Sequence, residues 1–67
     1  MADRIAELLL ARGQATASEL ARELYGEVDW YKYLATREAL MKMFNRGEVA
    51  REAIVGKVSW KYELRRP

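Results

Sequence analysis

Apolar positions recur at three- and four-residue steps through most of the chain and then switch to every second residue near its end. Ile5, Leu8 and Leu9 lead to Arg12 in a single stripe, the signature of an amphipathic helix. Asp3 stands where an N-cap belongs, and Gly13 reads as the residue that stops the helix. Thr16 with Glu19 three residues later forms a capping box, which opens a second helix buried through Leu20, Ala21 and Leu24 and closed by Gly26. Gln14 to Thr16 has room for a short extended segment before that cap. Asp29 caps a third helix, expected from about Trp30 to Arg46 with Gly47 after it.

Period two takes over at Lys57-Val58-Ser59-Trp60-Lys61-Tyr62-Glu63-Leu64, which alternates polar and apolar residues as a half-buried strand does. The weaker strand 48–54 precedes it, and Val55-Gly56 reads as a two-residue hairpin turn with Gly56 supplying a positive φ. That turn sets Val49 opposite Tyr62 and Arg51 opposite Trp60, where a guanidinium meets an indole ring. The order is α-α-α-β-β, an α+β chain. The apolar face of Val58, Trp60, Tyr62 and Leu64 needs a surface to cover it, and the three-helix core is the available one. Residues 1–67 are therefore expected to form a single winged helix-turn-helix domain: a three-helix bundle followed by a two-stranded antiparallel wing.

The 67 residues leave room for one domain. With no Cys and no His, a disulfide, a thiolate metal site and the commonest general base are all missing, so stability has to come from packing. Hydrophobic residues make up 51%, including two Trp, four Tyr and one Phe. The longest apolar run, Leu8-Leu9-Leu10-Ala11, is far too short to span a membrane. Met1-Ala2-Asp3-Arg4 lacks a signal-peptide layout, so a cytoplasmic, nucleoid-associated setting is the expectation. Ser18 and Ser59 have no partner base within a motif, no Gly-rich phosphate loop occurs, and the carboxylates are scattered. The reading is of a protein without enzymatic activity, cofactor or metal.

Thr36-Arg37-Glu38-Ala39-Leu40, followed by Met43, Gly47 and Val49, resembles the recognition-helix pattern of GntR-type regulators. Ala17-Ser18-Glu19-Leu20-Ala21-Arg22-Glu23-Leu24 resembles the second helix of many winged-helix regulators. The resemblance covers roughly residues 5 to 64 and speaks for the winged-helix superfamily rather than for GntR membership. It departs in the aromatic stretch Trp30-Tyr31-Lys32-Tyr33, where that family carries small polar residues. On a wheel of about 100° per residue, Arg37 sits among Tyr33, Leu40, Met41 and Phe44, a charge inside an apolar face. The resemblance implies instead that Thr36, Ala39, Leu40 and Met43 are buried and that Arg37 points outward with Tyr33, Leu34 and Met41. It further implies that Arg37 contacts DNA.

The expected function is that of a small transcriptional regulator binding double-stranded DNA, with the third helix in the major groove. Arg37 is the leading contact. Lys32, Tyr33 and Tyr31 in the early turns of that helix, Lys42 further along it, and Ser18 at the start of the second helix are further candidates. Lys57 and Lys61, with Arg65 and Arg66 beyond, line the wing for a phosphate backbone. Trp30 is read as structural filling beside the turn. A homodimer through the first helix or through Tyr31, Tyr33 and Met41 is the expected assembly, with no small-molecule effector. The alternative is a protein-interaction module within a larger assembly. The net charge of only +2 and the aromatic and Met content of the third helix favour that alternative.

Overall fold

The computed structural model describes residues 2–57 and 59–65. The order of elements is α1 (Ala2–Arg12), β1 (Gln14–Thr16), α2 (Ala17–Tyr25), α3 (Trp30–Asn45), β2 (Val49–Ala53) and β3 (Trp60–Leu64). The result is a small α+β domain of three helices against a three-stranded antiparallel sheet with strand order β1-β3-β2. The sheet has one strand more than the expected pair. The extra strand is the extended segment before the second helix, and it joins the far edge of β3.

Local chemistry accounts for most boundaries. Gly13 adopts φ +86°, which turns the chain out of α1 and into β1. Thr16 then serves two elements. Its extended backbone ends β1, and the same conformation is what an N-cap requires. Its hydroxyl accepts the Glu19 amide at 3.2 Å, and the Glu19 carboxylate accepts the Thr16 amide at 2.9 Å, so both halves of the capping box form. Asp29 caps α3 by accepting the Lys32 amide at 2.9 Å. Asp3 is not a cap, because α1 already includes Ala2 and leaves Asp3 within its first turn. An acidic side chain there still favours the positive end of the helix dipole.

The core takes Ile5 and Leu9 from α1, Ala15 from β1, Ala17, Leu20 and Ala21 from α2, Thr36, Leu40 and Met43 from α3, Val49 from β2 and Tyr62 from β3. Burying each of the large aliphatic side chains stabilises the fold by about 1.5–3 kcal/mol over leaving it exposed. Thr36 is the buried polar residue, and its Oγ1 donates to the Lys32 carbonyl at 2.9 Å. Among the described residues no buried side-chain nitrogen or oxygen lacks a partner. No described helix is long and apolar enough to cross a membrane.

The hairpin register differs from the expected one. Val49 pairs with Leu64, Arg51 with Tyr62 and Ala53 with Trp60, a slip of two residues. The Lys57 amide still donates to the Ile54 carbonyl, as the expected turn requires. The ladder, however, resumes only where the Ile54 amide donates to the Ser59 carbonyl, so the connection is longer than a two-residue turn. Two-residue hairpin turns need positive φ at their first central position, and Val55 there has negative φ. Gly56 at φ +81° suits the second central position of a type II turn, whose twist does not match a two-residue hairpin. A slip of two preserves which face each side chain occupies, so Tyr62 is still buried. The Arg51–Trp60 contact survives as a diagonal neighbour. The expected roles of Val58 in the strand and of Arg66 beyond it lie outside the described residues.

Candidate nucleic-acid interface

Helix α3 is apolar on two sides, and burial decides which side the core takes. Thr36, Leu40 and Met43 are buried, Ala39 is half-buried, and Arg37 is exposed with Tyr33 half-buried beside it. Trp30, Tyr33, Arg37, Met41 and Phe44 recur at three- and four-residue steps and form the outward stripe. One charge therefore sits in the middle of an aromatic face.

That stripe borders a cleft of about 170 Å³ lined by Thr16, Ala17 and Ser18 from the start of α2, Tyr33 and Arg37 from α3, and Ser59, Trp60 and Tyr62 from the hairpin. The cleft exists because the α2 cap, the middle of α3 and the base of β3 converge on one spot. It brings together Ser18, Tyr33 and Arg37 from two helices, and adds Ser59 and Trp60 from the hairpin. A shallower depression runs on from it past Val28, Asp29 and Trp30. Trp30 is 68% exposed on this rim, so it does not fill the gap beside the turn. The α2–α3 connection is too short to fold back over it.

Charge pairing separates the cations into two groups. Arg12 is held by Glu19 at 2.9 Å and Glu23 at 3.1 Å, Arg4 by Glu7, and Arg46 by Glu48. Lys32 donates to Glu27 at 2.9 Å and also lies 3.6 Å from Asp29. The hydrogen bond to Glu27 lifts its ammonium above the ordinary lysine range, with the charges of Glu27 and Asp29 adding to it. Lys42 lies 3.9 Å from Glu38 and borders a groove with Ala35, Ala39 and Arg46, away from the cleft. Arg22, Arg37, Arg51, Lys57, Lys61 and Arg65 have no carboxylate partner among the described residues, and of these Arg37 alone lines the cleft.

The remaining candidates are dispersed. Lys61 is opposite Thr16 on one side and Glu52 on the other, with its charge acting on Glu19. It alternates with Tyr62 and so belongs to the outer face of the sheet. Tyr31 is 82% exposed and lines neither the cleft nor the depression beside it. Lys57 stands at the hairpin turn.

Arg51 was legible in the sequence only as a partner for Trp60. Its guanidinium lies 4.0 Å from the centre of the Phe44 ring and 4.6 Å from that of Trp60. The Phe44 contact crosses from β2 to α3, and sequence spacing carries no signal for it. Glu19 has its carboxyl held below the ordinary glutamate range, chiefly by the Thr16 backbone amide it accepts. Burial opposes that shift, and the Thr16 hydroxyl, Arg12 and Lys61 reinforce it. Among the described residues no cluster of acidic side chains is arranged to hold a metal ion. Comparison with models of known protein families found no match for this chain, and neither did comparisons with curated proteins and with solved structures.

Proposed function

We propose that this chain is a winged helix-turn-helix domain that binds double-stranded DNA and acts as a small transcriptional regulator. Helices α2 and α3 form the helix-turn-helix, and the β2–β3 hairpin is the wing. The observation that carries this reading is Arg37: an exposed guanidinium in the middle of α3, at a cleft between the α2 cap and the hairpin, with no carboxylate partner among the described residues. An unpaired arginine on a helix keeps its bidentate donors available for a guanine edge or a phosphate. Lys57 at the hairpin turn is a further cation without a carboxylate partner, and Ser18 supplies a hydroxyl at the cleft wall. Lys32 and Lys42 become minor contributors, because their charges are compensated locally, and Lys61 does so because it stands on the outer face of the sheet and does not line the cleft. One module reads few base pairs, so two copies on adjacent half-sites are the proposed assembly.

The exposed Val28, Trp30 and Tyr31 favour a second reading, a protein-docking module. Fluorescence anisotropy with random-sequence duplex DNA over a salt series separates the two. The DNA reading expects log Kd to rise with log salt at a slope of about 0.9 per phosphate contacted. Absence of binding at low salt defeats it and leaves the docking module. After selection of a preferred site, Arg37→Ala is expected to cost that site more than random DNA. An equal loss on both makes Arg37 a phosphate contact.

A further inference from the structure

We propose that Arg51 is a positioning residue, whose guanidinium stacked between Phe44 and Trp60 sets the angle of the hairpin to α3 and so carries Lys57 to the duplex that Arg37 meets. This inference rests on the DNA reading above. The two ring contacts, at 4.0 and 4.6 Å, join all three elements: Phe44 on α3, Arg51 on β2 and Trp60 on β3.

Their position in the sheet explains why they matter. Strand β1 pairs with β3 only over Gln14–Glu63, Ala15–Tyr62 and Thr16–Lys61. Beyond Lys61 the sheet is a two-stranded ribbon, whose last rung is Ala53–Trp60 before the turn that carries Lys57. An isolated two-stranded ribbon is marginal in water and free to bend. The stack lies where the three-stranded part ends and the ribbon begins. A planar guanidinium covers two rings at once, which the compact ammonium of lysine does not. Arg51 has no carboxylate partner among the described residues, so its ordering comes from the rings.

Each such ring contact is worth about two- to fivefold in an equilibrium constant, and the pair roughly five- to thirtyfold. The free protein supplies the first test, because the Ile54 amide donates to the Ser59 carbonyl at the base of the loop. Hydrogen exchange at Ile54 is expected to accelerate by about that factor in Arg51→Lys while core amides keep their protection. Phe44→Leu, which removes one ring and keeps the arginine, is expected to give an intermediate acceleration. It provides the same readout if Arg51→Lys folds poorly. Unchanged exchange at Ile54 in both variants overturns the stack as a hinge support.

The second test is coupling on random-sequence duplex DNA. Lys57→Ala in the wild-type background is expected to weaken binding and to lower the salt slope by about one. In the Arg51→Lys background, Lys57→Ala is expected to change both less, since the hairpin occupies the duplex for a smaller fraction of the time. Equal effects of Lys57→Ala in both backgrounds, with wild-type binding intact, overturn positioning. Failure of the wild-type chain to bind duplex DNA at low salt overturns the DNA reading, and the positioning role with it. The Ile54 exchange measurement does not depend on that outcome.

Discussion

Substitution at Thr36 tests the packing that turns Arg37 outward. Thr36 is 0% exposed, and its methyl and hydroxyl make separable contributions. Thr36→Ser deletes the methyl alone. Loss of about 0.8 kcal/mol of burial for one carbon, plus a cavity that relaxes only in part, sets the cost at about 1–1.5 kcal/mol. Thr36→Val exchanges the hydroxyl for a methyl. It forfeits the bond to the Lys32 carbonyl, worth about 0.5–1.5 kcal/mol net. That carbonyl also accepts the amide four residues on, as any carbonyl within an α-helix does, so nothing is left unpaired. Burial of the added methyl offsets the loss, and the net change is within about 0.5 kcal/mol. A domain of this size has roughly 3–10 kcal/mol in total, and each kcal/mol moves Tm by about 4–8 °C. Thermal unfolding followed by far-UV circular dichroism should lower Tm by roughly 5–10 °C for Thr36→Ser and leave Thr36→Val within about 4 °C of wild type. Duplex affinity of Thr36→Val should be unchanged. A valine variant as unstable as the serine one refutes the argument, because the hydroxyl would then be making more than one helical back-bond.

Three further outcomes follow from the same geometry. Glu19 titrates below its ordinary value of 4.5 in the folded state, so its contribution is present above that value and is lost as pH falls through the lower folded one. Glu19→Gln keeps the capping-box geometry without the titration and should flatten the acid limb of a Tm-against-pH curve. Lys32→Ala should reduce duplex affinity by less than about twofold, against roughly tenfold or more for Arg37→Ala, because Glu27 and Asp29 already neutralise it. Comparable losses in an anisotropy titration would return Lys32 to the interface. Gly56→Ala meets no atom within 4 Å, so its cost is the backbone strain of φ +81° alone, about 1–2 kcal/mol by urea unfolding.

Elements bounded by local chemistry were legible in the residues themselves. The Thr16–Glu19 box, the Asp29 cap, the glycine stops and the period-two run over β3 depend on neighbours within four positions, and the limits of α2 and α3 follow them closely, while β3 begins at Trp60 and not at Lys57. The outward direction of Arg37 was legible as well, though only through a resemblance, because α3 is apolar on two sides and periodicity cannot choose between them. Tertiary structure decided the rest. β1 exists because the edge of β3 supplies partners 45 to 49 residues away in sequence, where Thr16 meets Lys61 and Gln14 meets Glu63. The hairpin slipped by two because Val55 cannot take the backbone that a two-residue turn demands, and the faces survived because two is the period of a strand. Which cations of α3 are paired, by contrast, was set close by in sequence. Lys32 and Arg37 look alike along α3, yet the turn before the helix brings Glu27 to one and no carboxylate to the other. Local sequence therefore determined the elements and their caps, through bonds that close within one turn. Only the packed chain decided the third strand, the hairpin register and the Arg51–Phe44 contact, because each depends on where segments distant in sequence meet.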